Sequence, residues 1–471
     1  MRIILVQPPI AMSERKQITY ANIHQQIPLG PLYILAYLRE NGHEVAFLDA
    51  DTERLTEEET ISRIKEFKPD FIGLSVTTLT FHRAVTLGEA VAVEFPGIPL
   101  VLGGPHVSAA PEHAMKHECF TVGVIGEGEI TTLELVSKMQ AGEDWRGIVG
   151  ITYRGEDGKI VVAPRRELIA DLDILPFPAY DLVPDLTVYT SPVAHTRKLK
   201  PTLNVLTTRG CPNACTFCDR SVFGQKVRFR RPEKVVEEIL LLRRKYGIKE
   251  IYFVDDAFTI RFERVRAIFD MLKKEGEWFP WTCQTRVNLV TEEDIKYMKE
   301  AGCWLMFLGV ESGDAAILKT IKKHIKFEDV RNVAKWCHKA GIATGGLFII
   351  GHPGETLETI DKTIDFALSV PFTTINATLN TPIPGSEQYK SIRDFGTFDD
   401  VDWANCNFLQ PVFTPHGLTY EILMKKHREF YRRFFFRPKV IYNFFKYFFL
   451  RKNGMESFRQ LLRSSWRLLF S

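Results

Sequence analysis

Residues 203–220 read LNVLTTRGCPNACTFCDR. LNVLTT is a short apolar and β-branched run that predicts a buried strand, and the loop after it carries three cysteines in the spacing C-x3-C-x2-C. Cys211, Cys215 and Cys218 therefore share one strand-end loop, from which three thiolates reach a single soft metal centre. A four-iron cluster ligated wholly by protein needs four cysteines. Three leave one iron with an open position, the arrangement of a catalytic rather than a structural site. The competing reading is a structural zinc completed by a distant His or Cys. Zinc sites usually pair two knuckles, and no second C-x2-C occurs, since Cys119, Cys283, Cys303, Cys337 and Cys406 are scattered.

Working outward, the strand–helix alternation continues downstream. Strand candidates at 250–256, 281–286, 304–310, 344–351 and 375–380 follow LNVLTT, with helical stretches at 232–246, 261–275, 291–301, 326–340 and 355–369 between them. Six such strands form either an open, partial βα barrel or a second doubly wound sheet. In both, ligands bind beyond the carboxyl ends of the strands. Upstream, RIILVQ (2–7), EVAFLD (44–49), FIGLSV (71–76), PLVLGG (99–104) and FTVGVIG (120–126) are near-continuous apolar runs separated by helix-length segments. That pattern predicts a parallel sheet covered on both faces, a doubly wound, Rossmann-like α/β domain. From Gly150, GITYRGEDGKIVVAP reads as a hairpin turning at Asp157-Gly158. Pro176, Pro178 and Pro184 then mark a linker wrapped on a surface. The expected division is 1–145, a hairpin and linker at 146–195, a second α/β unit at 196–390, and a helical region at 391–471.

A chain of 471 residues is long enough for two or three domains, and its apolar and charged fractions are those of a globular protein rather than a disordered one. A net charge of +3 carries no chain-wide footprint for nucleic acid. Eight cysteines are too few for a disulfide scaffold and fit a reducing cytoplasm. No signal peptide or membrane-spanning run is expected, because the N-terminus reads as a strand and the apolar C-terminal stretch is broken by Arg and Lys. That stretch, within 418–471, interleaves Phe and Tyr with cations. It suits a helix in a membrane interface, giving possible peripheral attachment, or a helix packed across the preceding domain.

The cysteine loop, with Phe217 between its last two cysteines, resembles that of the radical SAM superfamily, which binds a [4Fe–4S] cluster after the first strand of a partial (βα)6 barrel. The resemblance spans residues 200–385. It implies that Cys211, Cys215 and Cys218 hold the cluster and that Phe217 lies near the adenine of S-adenosyl-L-methionine. By the same resemblance, Asp255 or Asp256 in DDAF receives the methionine ammonium, and Glu311 and Ser312 in GVESG contact ribose and carboxylate. Physically, a chelating amino acid needs a carboxylate near its ammonium and a cation or hydroxyl near its carboxylate, which Arg286 and Ser312 supply. Helix capping by Asp255 and a surface ion pair at Arg286 are the structural alternatives. The chemistry implied is one-electron cleavage of S-adenosylmethionine to a 5′-deoxyadenosyl radical that attacks an unactivated carbon.

The N-terminal loops GGPH and GEGE bring Gly103, Gly104, Gly126 and Gly128 to the sheet's carboxyl edge, where glycine lets backbone approach a ligand. Together with the LDxLPFPA linker they resemble the cobalamin-binding subgroup, which includes C-methyltransferases and the anaerobic Mg-protoporphyrin monomethyl ester cyclase. The D-x-H-x-x-G motif that supplies an axial histidine to cobalt is absent, and His24 and His106 lie outside that context. The implied function is cobalamin-dependent methyl transfer, with radical oxidative cyclisation on a lipid-like or tetrapyrrole substrate as the alternative. An iron–sulfur electron carrier or redox sensor is the reading from another class. The resemblance further implies a small-molecule or lipid-like substrate and a reductant such as flavodoxin or ferredoxin, with no nucleic-acid partner.

Overall fold

The computed structural model describes residues 1–9, 26–189, 198–398, 403, 406, 408–438 and 440. Each strand expected from the apolar runs forms, within three residues of its predicted ends. In the N-terminal unit these are β1 (Arg2–Gln7), β2 (Glu44–Asp49), β3 (Phe71–Ser75), β4 (Leu100–Gly103) and β5 (Val122–Val124), with helices α1 (Leu29–Glu40), α2 (Glu57–Phe67), α3 (Phe81–Glu94) and α4 (Gly128–Ala141). The sheet runs β2-β1-β3-β4-β5 and is parallel, with Ile3 opposite Val45 on one side and Phe71 on the other. Strand order reverses between β1 and β3, so crossovers of one hand place helices on both faces and open a crevice at that reversal. The hairpin β6 (Ile151–Arg154) and β7 (Ile160–Val162) adds to the sheet as an antiparallel edge, Val122 facing Tyr153.

The second sheet consists of β8 (Thr202–Val205), β9 (Glu250–Phe253), β10 (Trp281–Thr285), β11 (Cys303–Glu311), β12 (Ala343–Ile350) and β13 (Thr374–Leu379). Its order is that of the sequence, and every pairing is parallel. This order decides between barrel and doubly wound sheet. When each right-handed crossover steps the same way, all the helices fall on one face and the sheet curls into a partial barrel. The helices that cover it are α5 (Pro232–Arg244), α6 (Phe262–Lys274), α7 (Glu292–Glu300), α8 (Phe327–Ala340) and α9 (Leu357–Ser369). On α6, Phe262, Val265, Ile268, Phe269 and Leu272 form one buried stripe at helical spacing, and Phe269 stacks on Trp281 of β10 at 4.6 Å. Burying each such side chain contributes about 1.5–3 kcal/mol.

One expectation changes on folding, and one pair of alternatives is decided. The proline-rich segment is no surface wrapping: Ile169, Leu172, Leu175, Tyr180, Val183 and Leu186 are buried in the core shared with the barrel. Tyr180 donates to Glu238 of α5 at 2.5 Å and Tyr189 to Asp49 of β2 at 2.6 Å, so the segment straps the two units together. The described part of the aromatic tail, α10 (Tyr420–Phe435), packs on the barrel. Phe430 and Phe434 are fully buried, His427 meets the Ala377 carbonyl oxygen at 2.8 Å, and Lys426 and Arg433 pair with Asp361 and Asp365 of α9. Its apolar face is spent on β13 and α9, so a membrane-interface role is not carried by this helix; the tail beyond residue 440 lies outside the described residues. Among the described residues no helix is long and apolar enough to cross a membrane.

Candidate active site

The cysteine loop springs from the carboxyl end of β8 and is closed at its base by a two-residue antiparallel ribbon, Thr208–Arg209 with Arg228–Phe229. Gly210 opens the loop at φ +92°, and a Cβ there would overlap the Lys226 carbonyl, so only glycine lets the chain turn into Cys211. Asp255 fastens the strand end from the neighbouring β9. Its Oδ1 accepts from the Thr207 backbone N–H at 3.0 Å and from the Thr207 and Thr208 hydroxyls at 2.9 and 2.6 Å. Asp255 thus caps no helix, and its buried Oδ2 keeps an unused acceptor.

Cys215 is buried, Cys211 and Cys218 are half-buried, and none forms a disulfide. Asn213 Nδ2 reaches Cys211 Sγ at 3.3 Å and Arg286 Nη1 reaches Cys215 Sγ at 3.6 Å, donors suited to thiolate sulfur. Burial, with Asp256, Cys215 and Cys211 nearby, pushes the Cys218 thiol up to about 12. Metal coordination reverses such a shift. Among the described residues no three His, Cys, Asp or Glu side chains converge on a single ion.

The expected contact residues from β10 and β11 meet at this loop. Arg286 is buried rather than paired at the surface; besides Cys215 it donates to the Lys323 carbonyl. The Lys323 ammonium pairs with Glu311 at 2.7 Å, both buried. Glu311 sits at φ +69°, a left-handed backbone that a residue with a long side chain adopts at a cost and that clusters at functional sites. Ser312 is fully buried but committed, its Oγ accepting from the Asp314 N–H at 3.1 Å and lying 3.2 Å from Thr363 Oγ1. Asp256 is exposed at the mouth, and Phe217 lies 5.8 Å from the His352 ring.

Besides Asp255 and Arg286, which the sequence named, buried polar atoms without partners follow the ends of β12 and β13. Asp255 Oδ2, Arg286 Nε, both His352 ring nitrogens, Glu355 Oε1, Asn380 Nδ2 and the Gln388 side-chain amide all lack partners among the described residues. Buried polar groups are ordinarily bonded, so a set of unmet donors and acceptors beyond the strand ends fits a polar ligand such as a zwitterionic nucleoside. Burial, with Lys323 nearby, lowers His352 to about 3, leaving a neutral ring. Burial raises Glu355 to about 8, against backbone N–H bonds from Gly351 and His352. A single polar residue just past each strand was the signal available; burial without a partner is invisible before folding.

A cavity of about 860 Å³ opens at the carboxyl ends of the first sheet, at the β1/β3 reversal. Gly103, Gly104, Gly126 and Gly128 all line it. Gly104 has φ +103°, and a Cβ there would stand 2.5 Å from the Val76 carbonyl oxygen, so glycine is required. Asn204, Leu206, Arg209, Val222, Phe223 and Val254 of the barrel form its other wall, backing directly onto the cysteine loop. Among the described residues no histidine lines it, and His24 lies outside them. His106 lies behind the wall, 3.2 Å from Thr78 Oγ1 and 3.0 Å from His113 Nδ1, and burial with His113 lowers it to about 3. A wide, largely apolar cavity with glycine edges fits a corrinoid.

Sequence reasoning missed the glutamates of GEGE. Glu127 accepts from Arg209 at 2.8 Å and Arg228 at 2.6 Å, and Glu129 accepts from Arg209 at 2.6 Å. Burial works against the Arg209 charge, but Glu129 and Glu127 outweigh it and hold the guanidinium above its ordinary value.

Residues 205–367 match the family description "Radical SAM superfamily", and residues 22–136 match "B12 binding domain". An uncharacterized methyltransferase of Pyrococcus horikoshii is 35% identical over 443 residues, covering 94% of each chain. The cytidylyl-2-hydroxyethylphosphonate methyltransferase of Streptomyces wedmorensis is 29% identical over 416 residues, 76% of each chain. The anaerobic magnesium-protoporphyrin IX monomethyl ester cyclase of Rubrivivax gelatinosus is 28% identical over 458 residues, 94% of this chain and 80% of that one. Among solved structures, the cobalamin-dependent enzyme OxsB with aqua-cobalamin and S-adenosylmethionine superposes with a TM-score of 0.71 at 18% identity, covering 98% of this chain and 75% of that one. The methyltransferase TsrM of Kitasatospora setae gives 0.64 at 19%, over 88% and 79%. With both domain matches in one chain and a relative 35% identical over 94% of it, the protein belongs to the radical SAM enzymes that carry a B12 binding domain ahead of the barrel.

Proposed function

We propose that the protein transfers a methyl group to an unactivated carbon of a small-molecule or lipid-like substrate. The observation that carries this reading is the shared wall: the glycine-edged cavity and the cysteine loop are two sides of one segment, residues 204–223. In this reading Cys211, Cys215 and Cys218 hold a [4Fe–4S] cluster, and Gly103, Gly104, Gly126 and Gly128 admit cobalamin. Bound there, the cluster supplies the electron that splits S-adenosylmethionine and the corrinoid supplies a methyl carrier. The chain's own residues bind and orient. Arg286 donates to Cys215 sulfur and, through its unpartnered Nε, faces the methionine carboxylate, whereas the Ser312 hydroxyl is held by Asp314 and Thr363. Asp256, exposed at the mouth, receives the ammonium, while Asp255 holds the strand end and offers its free Oδ2. Phe217 and the neutral His352 give adenine an apolar, water-poor seat, and Glu311 is held beside the ribose by Lys323. A reductant protein of flavodoxin or ferredoxin type completes the requirement.

Ring-forming oxidation is the second reading, favoured by the cyclase relative that aligns over 94% of this chain. Both share the first step, so one experiment tests the common core. Protein purified anaerobically, reconstituted with iron, sulfide and hydroxocobalamin, and reduced with S-adenosylmethionine should contain cobalt and release 5′-deoxyadenosine. An intact clustered protein that releases none refutes the reading.

A further inference from the structure

Four buried charges tie the B12-type domain to the cysteine loop. Arg209 Nη1 donates to Glu127 Oε1 at 2.8 Å and Arg209 Nη2 to Glu129 Oε1 at 2.6 Å, a fork spread across two carboxylates. Glu127 Oε2 accepts from Arg228 Nη1 at 2.6 Å and from the Ile169 N–H at 2.9 Å. All four side chains are 5% exposed or less. The Arg209 guanidinium also lies 5.2 Å from the Tyr33 ring of α1 and 5.2 Å from the Phe223 ring of the cysteine loop.

The set is neutral overall, two cations against two anions, and such networks contribute little net stability compared with apolar packing of the same volume. What they contribute is direction, because a guanidinium fork admits few orientations of its partners. Here the partners sit on the two walls that must keep a fixed separation. Glu127 and Glu129 bracket Gly128 on the cavity edge, and Arg209 stands two residues before Cys211, with Gly210 alone between them. A shift of either carboxylate moves the start of the cysteine loop relative to the glycine edge. In a reaction between positioned groups, a displacement of about 1 Å costs about 10²-fold in rate.

We propose that Arg209 is a positioning residue that, through Glu127 and Glu129, sets the separation between a corrinoid in the large cavity and the cluster loop. The inference rests on the cavity holding cobalamin. The test is pulsed electron paramagnetic resonance of the reconstituted full-length protein, reading the spin–spin coupling between the reduced cluster and cob(II)alamin in the wild type and in Glu129→Gln, Arg209→Gln and Arg209→Lys. Glu129→Gln keeps the Glu127 arm and a near-isosteric amide, so it is the variant chosen to fold. The expected result is a broadened inter-spin distance distribution in Glu129→Gln, broader still in Arg209→Gln, and partly restored in Arg209→Lys, whose point charge lacks the fork. A merely structural role would change thermal stability and leave the distribution alone. An unchanged distribution in Glu129→Gln with both cofactors bound overturns the inference, whatever the arginine variants do. Wild-type protein that carries its cluster but takes up no cobalt refutes the cobalamin reading itself and the inference with it, and the metal analysis tells the two failures apart.

Discussion

Glu355 offers a test of the barrel mouth that needs no substrate. Its carboxyl is fully buried behind β12, accepts the Gly351 and His352 N–H groups, and leaves Oε1 unpartnered. Burial raises it from 4.5 to about 8, the two backbone donors oppose the shift, and Asp314 reinforces it. Between those values the folded protein holds this proton and the unfolded chain has given it up, so stability falls as pH rises. The cost is absent below about 4.5 and complete above about 8. Each pH unit inside the window removes about 1.4 kcal/mol, so the step from pH 5.5 to 7.5 removes about 3 kcal/mol through this one group. Glu355→Gln is a neutral isostere of the protonated form and lacks the slope. Anaerobic urea unfolding of the apoprotein, followed by barrel tryptophan fluorescence, should place the variant level with wild type at about pH 4.5, ahead by about 1 kcal/mol at pH 5.5 and ahead by about 4 kcal/mol at pH 7.5. Parallel pH dependences for the two proteins would refute a buried, proton-holding Glu355.

The other expectations concern metal, cavity and strap. Replacing Cys211, Cys215 or Cys218 singly by Ala should abolish bound iron and sulfide after reconstitution while leaving the circular dichroism of the fold intact. Gly104→Ala sets a Cβ 2.5 Å from the Val76 carbonyl oxygen at φ +103° and should cost about 1–3 kcal/mol in backbone strain, with reduced cobalt retention on gel filtration as the check. Glu238→Ala leaves the buried Arg230 guanidinium and the Tyr180 hydroxyl without their carboxylate. Removing one partner of a buried pair costs about 3–5 kcal/mol, and for a unit of this size that lowers the melting temperature by about 6–20 °C, readable by calorimetry.

Much of the architecture was legible before folding because its causes are local. Continuous apolar strands such as FIGLS and WLMFLG are buried on both faces wherever they pair, and capping residues such as Thr56, Thr291 and Thr356 start their helices by bonding to their own backbone. The cysteine trio is likewise local: its spacing on one strand-end loop restricts it to one centre. Less local were the contact residues. Arg286 was named from the chemistry a chelating amino acid needs and Glu311 from the family resemblance, but not the Lys323 that links them, which arrives from a turn after the β11 loop and carries no motif.

By itself, then, the sequence determined the two alternating α/β units, the thiol loop and the glycine edges, since each depends on periodicity or on spacing within a few residues. Only tertiary structure decided that the second sheet keeps its strands in sequence order and curls, that the proline-rich segment and α10 are buried, and that Glu127 and Glu129 grip Arg209. Those outcomes depend on which groups leave water together, and burial couples residues 80 or more positions apart, such as Arg209 with Glu127 and Glu129, that no local pattern connects.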